Sequence, residues 1–471
     1  MVSRTSYLIL LSAGIQLAIG AFTAHPYDGR VFMATGYLVA HGNSPYVPTN
    51  VSKIFGSSLF PDPVPGIGYP PPWSLVLALS YLVSYNVIPN LILYNLAIKI
   101  PIVFGNILLA LLVGKMVLGA TSSTAKSESA TRFMLFNPFV IYTTAIWGQF
   151  DTVSVLLMLL AIFEFTQNRR RLSAIALGGA IALKLIPVVL LPLLIFCERK
   201  RENWLRAFEY LALVAIVVGL SCFPFLIGWS VKPIIDNWNV HFVRIGAFSP
   251  MNVLLIFGIG SSTNVLSFLG FLWVPSLALV YFLLVMKRAI RSTDILLPSL
   301  AVMLGFSLTR SWVSEQNLNF VLPLVLLCSV KQDWSKKWLS ATWLLPLIFA
   351  VFHTFPLEML FLTVPQSLID HFQVQLQLFF TSEMGGAIRA SITLVWLVVG
   401  LVLLRKSVDR TGFLVRERLD HAQAFGMPFE SNRSLDELAN VSYGIPGRQL
   451  NRCVRRSGVS VSSQLTGSSL D

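Results

Sequence analysis

Apolar runs of about 17 residues or more recur along almost the whole of residues 1–404, and each suits a bilayer-crossing helix of about 20 residues. That repetition limits the chain to a polytopic, all-α membrane architecture. The chain is 55% hydrophobic and only 12% charged, where a soluble domain carries about twice that charge. Counting runs predicts about 11 to 13 membrane segments. The formal net charge of +13 is no argument for nucleic acid, because Lys and Arg cluster between apolar runs, the pattern of positive-inside topology. Cys197, Cys222, Cys328 and Cys453 are far apart and form no Cys-x-x-Cys pair, so neither a zinc site nor a disulfide framework is expected. Arg4 and the run after it read as an uncleaved first helix, Tyr7 to Phe22, running outward from the cytoplasm.

The clusters give an orientation. Lys115, Lys126 and Arg132, then Arg169 to Arg171, bracket the runs Phe133 to Ala145 and Thr152 to Phe165. Both brackets belong inside, so the turn Trp147 to Asp151 faces out, on the side of the first loop. That loop, residues 23–70, is a long polar interval with a helical middle from Gly29 to Ala40 and turns from Gly42 to Pro48. Its aromatic residues argue for a packed loop. Leu172 to Phe196 has basic residues at both ends and reads as a helix broken at Lys184 and Pro187. The parity of residues 72–196 stays open. Later runs, including Phe320 to Val330 and Leu339 to Phe352, alternate across the membrane, with Glu358 to Gly386 as an outer amphipathic stretch. From residue 405 the chain reads as a cytoplasmic, basic and mostly disordered tail, with Phe413 to Phe425 as an interfacial helix.

Polar groups in such surroundings are costly and mark functional sites by default. The stretch Asn137 to Pro187 concentrates them, and its expected partner is Asp28. Asp28, just beyond the outer end of the first helix, reads as a general base or, alternatively, as a solvated carboxylate or helix cap. Gln149 and Asp151 read as ligands for sugar hydroxyls, as groups that orient Arg30, or, for Asp151, as a helix cap. Lys184 would pair with a phosphate or carboxylate, or snorkel. Arg310, Glu315, Gln316 and Asn317 form a polar cluster at another outward end. Arg310 suits a phosphate there, or forms a surface pair with Glu315. His241 and Arg244, His353 and His371 lie in or near outer loops. No His-Glu-x-x-His motif and no phosphate-cradling Gly-x-x-x-x-Gly-Lys loop occurs.

At these residues the chain resembles the multipass GT-C glycosyltransferases. The features are Asp28 opening the first outer loop, Gly42-Asn43-Ser44-Pro45-Tyr46 and Tyr69-Pro70-Pro71. Asn137-Pro138 with Trp147-Gly148-Gln149-Phe150-Asp151 is similar to prokaryotic relatives of the GPI-anchor mannosyltransferases. Lys184-x-x-Pro187 and Ser314-Glu315-Gln316-Asn317 fit that group and the polyprenyl-phosphate-mannose transferases. The likeness covers most of residues 1–330. It implies transfer of a hexose, mannose first, from a polyprenyl-phosphate donor to a lipid- or glycan-linked acceptor on the extracytoplasmic side. Asp28 matches the catalytic acid position. Arg30, Tyr46, Gln149, Asp151, Lys184, Arg310, Glu315 and Gln316 become candidates for holding substrate. Many relatives carry a second acidic residue beside the first; here the neighbours are Tyr27 and Arg30, so Asp28 would work alone. No cofactor is expected; a divalent metal stays an open alternative, with no ligand cluster in the sequence to support it. The competing reading is a polyprenyl-lipid flippase or transporter, which predicts inverted repeats that the sequence does not show.

Overall fold

The computed structural model describes residues 4–201, 204–229, 232, 235–236, 246–256, 268–287, 295–354, 356–380 and 382–424. By internal contacts the chain divides into residues 1–415 and 416–471. The first unit is all-α, as the sequence predicts, and the protein is a polytopic membrane protein. The strands among the described residues are a two-residue parallel pair, Gly246–Ala247 with Trp312–Val313.

Helix α1 (Arg4–Phe22) leads into α2 (Pro26–Ala40), followed by α3 (Pro71–Val83) and α4 (Leu91–Thr121). Then come α5 (Thr124–Leu135), α6 (Asp151–Thr166), α7 (Arg170–Leu183), α8 (Leu191–Arg201) and α9 (Trp204–Gly228). The later helices are α10 (Trp273–Met286), α11 (Leu296–Thr309), α12 (Leu322–Gln332), α13 (Lys336–His353), α14 (Gln366–Phe380) and α15 (Glu383–Ala424). Against about 11 to 13 expected segments, five helices among the described residues are long and apolar enough to cross a bilayer. They are Thr5–Phe22, Leu91–Thr121, Trp204–Phe223, Phe268–Met286 and Met384–Asp409. Three shorter apolar helices accompany them, including α11.

Several predicted runs take another form. Phe133 to Ala145 is not one helix: Asn137 caps a new turn, its Oδ1 accepting from the amides of Phe139 and Val140, with Pro138 in the first helical position. A π-helical turn comes next, Tyr142–Ile146. Phe320 to Val330 resolves into a 3-10 turn ending at Phe320 and the 11-residue α12. Residues Leu322 to Ser329 of α12 are all buried, so it is a core helix walled by protein. The expected interfacial helix at Phe413 is not separate, because α15 continues through the charged residues after Leu404 as far as Ala424. The break at Lys184 is present: α7 ends there in extended backbone, and Pro187 is the second residue of a 3-10 turn, Ile186–Leu190.

The first loop, residues 23–70, is folded. Helix α2 starts earlier than its Gly29 to Ala40 pattern suggests, because Pro26 fills the first helical position and the His25 ring accepts from the Asp28 amide. It lies against α3 so closely that a Cβ on Gly36 would sit 2.5 Å from the Leu77 carbonyl oxygen. Phe32, Tyr46, Phe55, Phe60, Trp73, Tyr81 and Tyr94 form a buried aromatic core beneath the loop. Phe150 joins it, stacked on Trp73 at 4.2 Å and edge-on to Tyr69 at 4.9 Å. That contact ties the Trp147–Asp151 turn to the first loop.

A candidate active site around Asp28

Helix α4 sets the geometry through polar side chains on one stripe of an otherwise apolar helix. Asn95 donates to the carbonyls of Gly20, Ala21 and Thr23, at the end of α1 and just beyond it. One turn on, the buried Lys99 donates to the carbonyls of Ala145 at 2.8 Å and Ile146 at 3.1 Å, where the π turn ends. Asn106 bridges Gln16 of α1 and Thr144 of the π turn, at 2.7 Å each. One helix therefore fixes the ends of both segments that build the site.

Beyond the π turn the chain reverses at Gly148, with φ +103°. A side chain there would be strained by that φ, and its Cβ would lie 2.9 Å from Lys99 Nζ. The reversal aims Trp147 and Gln149 at the same atom. Trp147 Nε1 donates to Asp28 Oδ2 at 2.6 Å and Gln149 Nε2 donates to it at 2.7 Å. Gln149 Oε1 accepts from the Tyr69 hydroxyl at 3.2 Å, which fixes the amide's orientation. No hydrogen bond reaches Asp28 Oδ1 from any described residue. One carboxylate oxygen is clamped, and the other has no partner among the described residues.

His25 supports the clamp. Its ring stacks on Trp147 at 4.3 Å, its Nδ1 lies 3.4 Å from Asp28 Oδ2, and its Nε2 is 3.3 Å from Thr354 Oγ1. Because Nδ1 accepts the Asp28 amide, the ring proton belongs on Nε2, toward Thr354. Burial lowers the His25 pKa below 6.5, outweighing the charges of Asp28 and Glu315, which act to raise it. The ring is neutral at pH 7.

The remaining predicted residues fall in separate places. Asp151 does not orient Arg30: its Oδ1 is 2.6 Å from Lys184 Nζ in a buried ion pair. Gln149 does not orient Arg30 either, being committed to Asp28 and Tyr69. Lys184 lies beneath the loop, its Nζ 5.3 Å from the Tyr69 ring. Arg30 donates through Nε to the Leu59 carbonyl at 2.6 Å, with its guanidinium over Phe361. Tyr46 is a core residue whose hydroxyl donates to the Tyr69 carbonyl at 3.0 Å. Arg310 and Glu315 do not form the surface pair that is the alternative reading of this cluster. Glu315 is buried, with Oε1 2.6 Å from His353 Nδ1, and Gln316 is buried beside it. Arg310 lies over Phe306 and has no ion-pair partner among the described residues. Burial lowers its pKa to about 10, which leaves it charged at pH 7. Asn319 joins this segment to the π turn through Thr143 Oγ1 at 2.9 Å. His241 and Arg244 lie outside the described residues.

Sequence reasoning passed over His25 and Tyr69 as site residues. His25 carried a signal: a His-Pro pair three residues before an acid suits a helix cap. Among the described residues no group of three or more His, Cys, Asp or Glu side chains could hold a metal ion.

The family model described as Glycosyltransferase family 87 matches residues 68–243. The matched range holds Tyr69, the Trp147–Asp151 turn and Lys184, and begins after Asp28. This likeness supports a membrane glycosyltransferase. No curated protein matches the chain.

Proposed function

We propose that the protein transfers a hexose, mannose first, from a polyprenyl-phosphate donor to a lipid- or glycan-linked acceptor at the extracytoplasmic membrane surface. The clamp on Asp28 carries this reading. A carboxylate held at one oxygen by two N–H donors, with its second oxygen unbonded, is oriented to accept a hydroxyl proton. Asp28 Oδ1 takes the proton of the acceptor hydroxyl as that oxygen bonds to the anomeric carbon. The bond from carbon to the lipid phosphate breaks, its electron pair leaves with the phosphate oxygen, and the anomeric centre inverts. A phosphate leaves without a general acid. Arg310 is the cation offered to it, since Lys184 is already paired with Asp151.

The test is transfer from synthetic polyprenyl-phosphate mannose by purified protein, beside Asp28→Asn, with native membrane lipids as acceptors. The asparagine oxygen still accepts from Trp147 and Gln149, so the turn keeps its geometry while the base is lost. The expected loss is about 10²- to 10⁴-fold, the usual contribution of a general base. Equal rates would remove Asp28 from the reaction. Movement of the lipid across vesicles without any transfer would favour a flippase.

A further inference from the structure

A cavity of about 360 Å³ lies beside the first turn of α2, between it, the proline-rich 61–65 segment and the residues after α13. Its volume is within the range of small-molecule pockets, about 300–1,000 Å³. Tyr27 and Arg30 line it from α2, and Glu358, Phe361 and Gln366 line it from the far side. Asp28 is not part of its wall, although it directly follows Tyr27 in the chain.

The chemistry of the wall is selective. Arg30 spends its Nε–H on Leu59 and keeps the rest of its donor fork. Glu358 has an acceptor-only carboxylate with no hydrogen bond or ion pair from a described residue. The two feel each other's charge yet do not close into an ion pair. Burial raises the Glu358 pKa and lowers that of Arg30, each opposed by the other's charge. A donor and an acceptor that face one cavity without meeting are bridged by a ligand whose groups both accept and donate. Hydroxyls do that. An anion would be repelled by Glu358 and a cation by Arg30. The exposed Tyr27 ring, Phe361 and the prolines offer flat apolar faces of the kind a sugar ring presents on its C–H side.

We infer that this cavity binds a neutral, hydroxyl-rich sugar of the acceptor, next to the sugar that carries the reacting hydroxyl. This rests on the transferase reading and adds a substrate class to it: the acceptor is already glycosylated. Contact with the first turn of α2 couples occupancy of the cavity to the turn that carries Asp28.

Two measurements test it, both on the full-length protein in detergent or nanodiscs. The first is binding of neutral trisaccharides (manno-, gluco-, galacto- and arabino-configured) by saturation-transfer NMR to the native protein, Tyr27→Ala, Glu358→Gln and Asp28→Asn. Native and Asp28→Asn should bind at least one, and the other two variants should weaken that binding at least tenfold. The second is turnover with octyl monosaccharide and octyl disaccharide acceptors. Glu358→Gln should raise KM for the disaccharide about tenfold, leaving kcat, the monosaccharide KM and the donor KM near native values. Glu358→Gln is near-isosteric and Tyr27 is exposed, so both variants should fold. If native protein binds none of the trisaccharides, or if both variants bind and use the disaccharide as native does, the cavity is not a sugar site. Sugar binding that is lost in Glu358→Gln, in a protein that transfers nothing from any donor, would keep the site and sink the transferase reading. Transfer with unchanged acceptor KM in both variants would do the reverse.

Discussion

Gln149→Glu replaces one clamp donor with a second carboxylate and keeps the side-chain length. The Tyr69 hydroxyl can still donate to one oxygen of the new group. The other oxygen falls where Nε2 now sits, 2.7 Å from Asp28 Oδ2. Two carboxylates at that distance do not both ionise readily, so they share a proton. For charges about 4 Å apart at an effective dielectric of about 20, the repulsion is about 4 kcal/mol, or about three pH units. The Asp28 side chain is 17% exposed, so solvent and relaxation reduce this to about one to two units. The measurement is the pH profile of kcat/KM for sugar transfer. The acid limb of Gln149→Glu should move upward by that amount, with rate recovered at alkaline pH. Gln149→Leu, which removes the donor without adding charge, should lower the rate across the profile. It loses one charge-assisted hydrogen bond of about 1.5–3 kcal/mol. An unmoved acid limb in Gln149→Glu, in a folded protein with measurable activity, would refute the clamped Asp28 as the proposed base.

The same geometry sets three further outcomes. Lys184→Met strands a fully buried Asp151 and should cost about 3–5 kcal/mol, while Lys184→Met with Asp151→Leu should recover most of it, as read by unfolding in detergent. Gly148→Ala meets both an unfavourable φ and Lys99 Nζ, and should cost about 1–3 kcal/mol with a large drop in kcat, read by unfolding and turnover side by side. The pH dependence of His25 has a definite sign. Its native pKa is depressed by burial, so the unfolded chain takes up its proton first as the pH falls below 6.5. The stability it contributes is complete above pH 6.5 and is lost as the pH falls through its lower native value. Asp28, Glu315, His353 and Arg30 surround it electrostatically. Native protein should therefore lose more thermal stability between pH 7 and pH 5 than His25→Gln does.

How far a sequence reveals such a site depends on which physical cost decides each contact. Asp28 and the Trp147–Asp151 turn could be matched because both are polar punctuation at the ends of apolar runs, and charge clusters put both ends on one side. The break at Lys184 was visible for the same reason, as a charge and a proline inside an apolar run. The loop's aromatic residues announced a packed core, which the structure has. What lay hidden is the choice among polar partners. Gln149 reaches Asp28 and leaves Arg30 alone because a π turn and a left-handed glycine rotate the chain between Tyr142 and Gln149. Neither feature has a composition signature. The supports are concealed differently. Asn95, Lys99 and Asn106 read as isolated polar residues in one long apolar helix, and only their i, i+4, i+11 spacing puts them on one stripe. Glu358 and Phe361 come from more than 300 residues beyond Asp28, so no local pattern links them to α2. A membrane chain can hide a site this way because unpaired polar groups are costly in its interior. For those that pair, such as Asp28, Lys99 and Lys184, the partner is chosen by tertiary packing rather than by proximity in sequence.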